Sequence, residues 1–216
     1  MQHRLTQFGF VDELSESGRR LFEENLSIER ARAGRVLISK GDRVGGAYLV
    51  ESGLLRVYQL GPTGREQTLY WAGPGESCIH AVSCVFSDVR YPAWVEVDEH
   101  EAVVGIVKSE GYRALFATEP AVQRFTFDVL SRRVAELTEA LAEAGTLDVE
   151  QRIISLLLRR CDADGVVPLS QERIARHVGT AREVVSRNLR ALAAAGLDVG
   201  PLRAAGRRLV VSAADG

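Results

Sequence analysis

The sequence predicts a mixed α+β chain, with a jelly-roll-like β domain first, one long helix in the middle and a C-terminal helix-turn-helix that ends in a wing hairpin. Three observations carry this. Short apolar runs alternate with glycine-rich turns between residues 36 and 107. From Pro120 to about Gly145, apolar residues step by threes and fours. Leu169 to Leu197 holds two short amphipathic segments broken at Gly179.

In chain order, Val11 to Leu26 has helical spacing through Leu14, Leu21 and Phe22. Strand-like runs follow at Val36 to Ser39, Ala47 to Val50, Leu54 to Leu60, Gln67 to Trp71, Ala93 to Val97 and Ala102 to Val107. Gly-Asp, Ser-Gly, Gly-Pro-Thr-Gly and Gly-Pro-Gly turn signals separate them, and such even spacing suits a small barrel or jelly roll. In the long helix, Phe127, Leu130, Val134, Leu137 and Leu141 form a seam, with Arg132, Arg133, Glu136 and Glu139 outside it. That is the pattern of a helix pairing in parallel with its twin; packing against its own β domain is the alternative, and both can hold on different faces. Asp148 to Arg160, through Ile153, Ile154, Leu156, Leu157 and Leu158, reads as the next helix. The expected boundaries are therefore a β domain at 1–118, a dimer helix at 119–146 and a C-terminal domain at 147–216.

Within that last domain, Ile174 and Val178 share one helical face, and Val185, Leu189 and Leu192 share another, so both can meet in one small core. Gly179 supplies the left-handed backbone of a tight turn, and Thr180 is the expected N-cap of the following helix. The outer face of that helix carries Arg182, Glu183, Ser186, Arg187, Asn188 and Arg190. Arginine forks onto guanine, glutamate accepts from cytosine, and the other arginines suit phosphates, so the face fits duplex DNA; an ordinary solvated helix pair is the plain alternative. Arg203, Arg207 and Arg208 lie around Gly206, between the strand-like runs Leu197 to Leu202 and Leu209 to Ser212, as in a wing that touches phosphates.

Charge is distributed to match. From Asp148 onward 11 arginines face 8 acidic residues, a balance of +3, whereas residues 1–147 hold 16 basic against 21 acidic, or −5. Only the C-terminal end is suited to a polyanion. No apolar run approaches the ~18 residues that span a bilayer, and MQHRLTQFGF lacks a signal-peptide core. A cytoplasmic protein without a membrane partner is expected. Three cysteines, an odd number, argue against a disulfide framework and for reduced thiols at Cys78, Cys84 and Cys161.

Gln171-Glu172-Arg173-Ile174-Ala175, Val178-Gly179 and Ala181 through Arg187 resemble the C-terminal domain of the Crp/Fnr transcription regulators. Glu183, Ser186 and Arg187 match the E-x-x-S-R form of the Fnr branch, which implies half-sites similar to TTGAT. Further upstream, Gly41-Asp42, Tyr48 through Gly53, Leu55 through Tyr58 and Pro74-Gly75-Glu76 are spaced as in that family's β-roll sensor domain. The resemblance covers nearly the whole chain. It implies a homodimeric regulator rather than an enzyme, with a palindromic duplex and RNA polymerase as partners.

The effector is less defined. In cyclic-nucleotide members a Gly-Glu pair grips the ribose, and an Arg followed by Ser or Thr takes the cyclic phosphate. This chain keeps Gly75-Glu76 but has Arg90-Tyr91-Pro92-Ala93-Trp94 at the phosphate step. Pro92 removes a hydroxyl and an N–H donor, and Arg90 is one place out of register, which argues against cyclic AMP. The Fnr branch's iron-sulfur cluster needs N-terminal cysteines, and the first cysteine here is Cys78, so no cluster is expected. Cys78-Ile79-His80 is similar to the C-x-H of the haem-containing, CO-sensing regulators, where Cys binds ferric and His ferrous haem. Against that pattern, Cys84 falls one residue late and no proline occupies position 2, leaving only His3 as a substitute ligand.

A thiol switch is the competing reading. Cys78 and Cys84, if they flank a bend, approach disulfide distance, and His80 or the Gly73-Pro74-Gly75 turn would activate a thiolate. Inert packing is equally open, since free cysteine behaves as a small hydrophobe. The effector candidates are thus Glu76, Cys78, His80, Cys84 and Arg90, with no metal site assigned beyond Cys78 and His80 as haem ligands. A cupin-type metal enzyme would need clustered imidazoles, whereas His3, His80, His100 and His177 are isolated, and Gly61-Pro62-Thr63-Gly64-Arg65 is a hairpin turn without phosphate-loop spacing.

Overall fold

The computed structural model describes residues 5–61, 64, 66–87, 89–98, 100–160, 166–167, 169–194, 197–199 and 209–213. Helix α1 (Glu16–Asn25) starts at Ser15, whose hydroxyl accepts from the Gly18 N–H. The Ser15 N–H donates to Glu119, whose buried carboxylate presses on Gly18 too closely to admit a Cβ there. The helix is shorter than its apolar spacing implies. Leu26 leaves it for strand β1 (Leu26–Arg32), which pairs residue for residue with a later strand from Leu26↔Val107 to Arg32↔Glu101. Its charged, half-exposed pattern disguises it, because only Ala31 is buried.

The remaining N-terminal elements are β2 (Val36–Ile38), β3 (Gly46–Ser52), β4 (Leu55–Leu60), β5 (Glu66–Ala72), α2 (Ile79–Val85), β6 (Trp94–Val97), β7 (Glu101–Lys108) and α3 (Ser109–Thr118). Helices α2 and α3 are additions to the six expected strands. The strands form two sheets, in the orders β1-β7-β3 and β2-β6-β4-β5. Because side chains alternate along a strand, β3 serves two cores. Val50 joins Val57, Tyr70, Cys78, Tyr91 and Val95 between the sheets, while Ala47 and Leu49 join Phe8, Phe22, Val85, Leu115 and Val122 on the helical side.

Helix α4 (Pro120–Thr146) follows, then α5 (Val149–Arg160), β8 (Val166–Val167), α6 (Gln171–Val178), α7 (Arg182–Ala194), β9 (Leu197–Val199) and β10 (Leu209–Ala213). The chain divides into two compact units, residues 1–60 with 68–137 and residues 61–67 with 138–216, so the division falls inside α4. In the second unit, Ile153, Leu156 and Leu157 of α5 meet Ile174 and Val178 of α6 and Val185, Leu189 and Leu192 of α7 in a third core. The sheet β8-β10-β9 flanks them. Among the described residues, no helix is long and apolar enough to cross a membrane.

Candidate nucleic-acid interface and effector site

The helix-turn-helix is built from local rules. Ser170 caps α6 by accepting from the Arg173 N–H. Gly179 ends it in the left-handed region (φ 71°), and both its N–H and that of Thr180 return to the Ala175 carbonyl. Helix α7 then opens one residue later than expected. Ala181 holds the capping position, its carbonyl accepting from Val184 and Val185, and Thr180 lies just ahead of it.

With Val185, Leu189 and Leu192 turned into the core, helical periodicity forces the opposite face outward. Arg182, Glu183, Arg187 and Arg190 are exposed, and Thr180 and Ser186 are half-buried. Two polar residues are tied back along the helix: the Asn188 amide donates to the Val184 carbonyl at 2.8 Å and the Arg190 Nε to the Ser186 carbonyl at 3.2 Å. Arg203, Arg207 and Arg208 of the expected wing lie outside the described residues, as do His3 and Cys161.

Helix α4 uses two faces. Ala121, Val122, Thr126, Val129 and Arg133 are buried against the first unit. Phe127 (60% exposed), Val134 (61%), Leu137 (40%) and Leu141 (76%) form the exposed seam, and Leu130 is half-buried at its edge. Arg133 corrects the sequence reading, which put it among the outward charges. It sits four residues after Val129 on the buried stripe, with its side chain 8% exposed and its guanidinium 4.0 Å above the Tyr70 ring, and it pairs with Glu136 one turn on.

The interior beneath Arg133 gathers several of the effector candidates. Cys78 is the residue before α2, completely buried; its Sγ lies 2.8 Å from the Tyr91 hydroxyl and 3.6 Å from that of Tyr70. Burial and the Cys78 sulfur push both phenols above their ordinary range, so both hydroxyls keep their protons at neutral pH. His80 packs its ring 5.7 Å from Tyr70 and 5.9 Å from Tyr91. Burial, and then the Arg133 charge, hold it below the usual histidine value, which keeps it neutral.

Glu76 and Arg90 do other work. A Glu76 carboxylate oxygen accepts from the Gly73 N–H at 2.8 Å, closing its own turn. Arg90 is exposed and donates to the Gly41 carbonyl. The cause is local pairing: the Tyr91 N–H bonds to Asp42 and the Tyr91 carbonyl accepts from Gly41, which turns the Tyr91 side chain inward and leaves Arg90 exposed.

Cys84 sits in the last turn of α2, half-exposed, its thiol pushed up by burial and then by Cys78. A continuous helix separates it from Cys78 by about 9 Å along the axis, beyond the ~7 Å Cα limit of a disulfide. The bend that would have joined the two thiols is absent. Sequence reasoning also missed Tyr70, whose position on β5 carries no motif, and Tyr91, which stood inside the altered phosphate segment.

The residues do not present a haem site. The Cys78 thiol is taken up by two tyrosine hydroxyls and the His80 imidazole packs against their rings. Glu76, Ser77, Val129, Arg132, Arg133 and Glu136 line a shallow open cleft of about 20 Å³, room for about one water and far below the ~300–1,000 Å³ of ordinary ligand pockets. Among the described residues, no three His, Cys, Asp or Glu side chains converge to hold a metal ion.

Comparison with known proteins matches both halves. Residues 28–119 fit the family model of a cyclic nucleotide-binding domain, and residues 151–211 that of a Crp-like helix-turn-helix domain. The chain is 32% identical over 167 residues, 76% of each protein, to the Cyclic AMP receptor protein of Thermus thermophilus. Its fold is similar to that of a Crp/Fnr-family chain from Eubacterium rectale, with a TM-score of 0.75 at 24% identity, covering 96% of this chain and 95% of that one. A variant of CooA from Carboxydothermus hydrogenoformans is as close in fold, with a TM-score of 0.75 at 20% identity over 94% of this chain and 90% of that one. A nucleotide-binding-like roll joined to this helix-turn-helix is the family's architecture, and the chain belongs to the Crp/Fnr family of DNA-binding transcription regulators.

Proposed function

We propose that this regulator works as a homodimer, joined through the α4 seam of Phe127, Leu130, Val134, Leu137 and Leu141, and sets two α7 helices on a palindromic duplex. The observation that carries the reading is the outward face of α7: Arg182, Glu183 and Arg187 are exposed while Val185, Leu189 and Leu192 anchor the helix. Arg187 and Glu183 read base edges, with Ser186 between them, in half-sites similar to TTGAT. Thr180, Arg182, Arg190 and the wing arginines Arg207 and Arg208 serve phosphates, and RNA polymerase is the partner at the promoter.

Selection of duplexes from a random pool tests this. Palindromes with half-sites about one helical turn apart are expected, and a pool that yields no preferred sequence overturns it. In salt titrations, Arg207→Ala and Arg208→Ala each lower the slope by about 0.9 if they neutralise one phosphate.

For the effector, the interior around Tyr70, Cys78, His80 and Tyr91 is the responsive element. The name of the Thermus thermophilus relative supports a cyclic nucleotide, but the outward Arg90 and the self-bonded Glu76 speak against one. A thiol response rests on Cys78 alone. Hydrogen peroxide oxidises the thiol to a sulfenic acid: the S–O bond forms, the O–O bond breaks, and the other peroxide oxygen leaves as water with the thiol proton. DNA affinity that changes with peroxide, reverses with dithiothreitol and is lost in Cys78→Ser but kept in Cys84→Ser supports it. A response that survives Cys78→Ser overturns it.

A further inference from the structure

Helix α4 buries Ala121, Val122, Thr126, Val129 and Arg133 against the first unit, with Phe125 and Leu130 packed beside them, and Arg133 is its last buried residue among the described part of the helix. From Val134 to Ala142 every described side chain is exposed. The earlier members of the stripe are small, apolar or hydroxyl-bearing, as at Thr126, which bonds to Tyr112. The final one is a guanidinium lying flat over an aromatic ring.

That ring is not an ordinary core residue. The Tyr70 hydroxyl meets the Cys78 sulfur, the sulfur meets Tyr91, and His80 packs against both phenols. A continuous chain of contacts therefore runs from the 90–92 segment through the roll interior to the last anchored turn of α4. Resting on the dimer and sensor reading above, we propose that Arg133 is the positioning residue that couples the roll interior to α4. Any event that moves Tyr70, whether sulfur chemistry at Cys78 or a small polar molecule entering between Tyr70 and Tyr91, unseats the guanidinium. The exposed half of α4, which holds Val134, Leu137 and Leu141 of the proposed dimer seam, then loses its anchor.

Arginine suits this position and lysine does not replace it, because the planar guanidinium stacks on a ring while keeping its N–H groups for Glu136. An apolar residue at 133 would keep neither the stacking on the Tyr70 ring nor the pairing with Glu136, so it would hold this turn of the helix less firmly.

The test uses the full-length dimer and two readouts, amide hydrogen exchange along residues 134–142 and affinity for the selected palindrome. Arg133→Leu and Tyr70→Leu should each speed exchange in that segment and weaken DNA binding by roughly tenfold, the worth of a desolvated cation–π contact. The double variant should be no worse than either single one, since both remove the same contact. Tyr70→Phe, which preserves the ring face, should keep the segment protected, and Arg133→Lys should fall between wild type and Arg133→Leu. Multiplying effects in the double variant, or wild-type exchange in Arg133→Leu, overturn the coupling while the dimer and its DNA binding stand. A wild-type protein that sediments as a monomer overturns the coupling and the dimer reading together.

Discussion

Helix α7 and the roll interior treat their polar side chains in opposite ways. On α7, Arg182, Glu183 and Arg187 are solvated and ready to meet a duplex as they stand. In the roll, Cys78, Tyr70 and Tyr91 have satisfied one another and are buried, with Arg133 closed over them. A solvated face is already presented to a duplex and makes its contacts without rearranging the fold. A buried cluster cannot report on anything without being disturbed. In the reading proposed above, recognition belongs to one region and response to the other, and α4 starts in the first unit and ends in the second.

The contrast breaks most severely at the helix itself. Leu137→Glu places two carboxylates at the proposed seam, where desolvation and like charge act together. Sedimentation should show monomers, and DNA binding should fall by about two orders of magnitude or more as the palindrome loses one of its two readers. An unaltered dimer would move the seam to another face. Next in size is the reading helix. Arg187→Ala should cost about 1–3 kcal/mol at the selected site and relax base preference at one position. Arg190→Ala, already bonded to its own helix, should weaken all sequences alike and by less, as competition binding will show.

Within the roll the effects are on stability. Tyr91→Phe removes a hydroxyl from the buried sulfur contact and should lower the unfolding free energy by about 1 kcal/mol, read from denaturant midpoints, with DNA sequence preference unchanged. The smallest effect is a pH dependence. His80 is held neutral in the fold, below its ordinary value of 6.5, so the unfolded chain takes up the proton first. Its contribution to stability is present above that value and is lost as pH falls through it. His80→Gln should flatten the midpoint's pH dependence below about 6.5, and a variant with the wild-type slope would relieve His80 of that role.

The same contrast decides what the amino-acid order reveals. Val185, Leu189 and Leu192 share a face, which by subtraction exposes the charged one, so α7 is readable from periodicity alone. The exposed apolar stripe of α4 is readable for the same reason. Strand β1 is not, because Leu26–Arg32 alternates charge with partly buried residues and gains its strand character from pairing with β7. Helix α2 is hidden because Cys78-Ile79-His80 draws attention as a ligand set, although in the fold it is a helix start. Arg133 is the hardest: local pattern places charges in water, and only the Tyr70 ring, far away in sequence, makes a buried guanidinium favourable. Which residues of a sensor face inward is a tertiary property.

The pairing of Tyr91 with the Gly41-Asp42 turn carries a consequence for how such sensors diverge. Tyr91 is buried there and its neighbour Arg90 exposed, so a slip of one residue puts Arg90 in the place of Tyr91. The interior would then receive a cation in place of a phenol, and the same roll would present a grip for an anion rather than a cage around a sulfur. A change of ligand class needs no new strand and no new core in this architecture. A one-residue shift near position 90 would by itself exchange a phenol for a guanidinium at this edge of the roll.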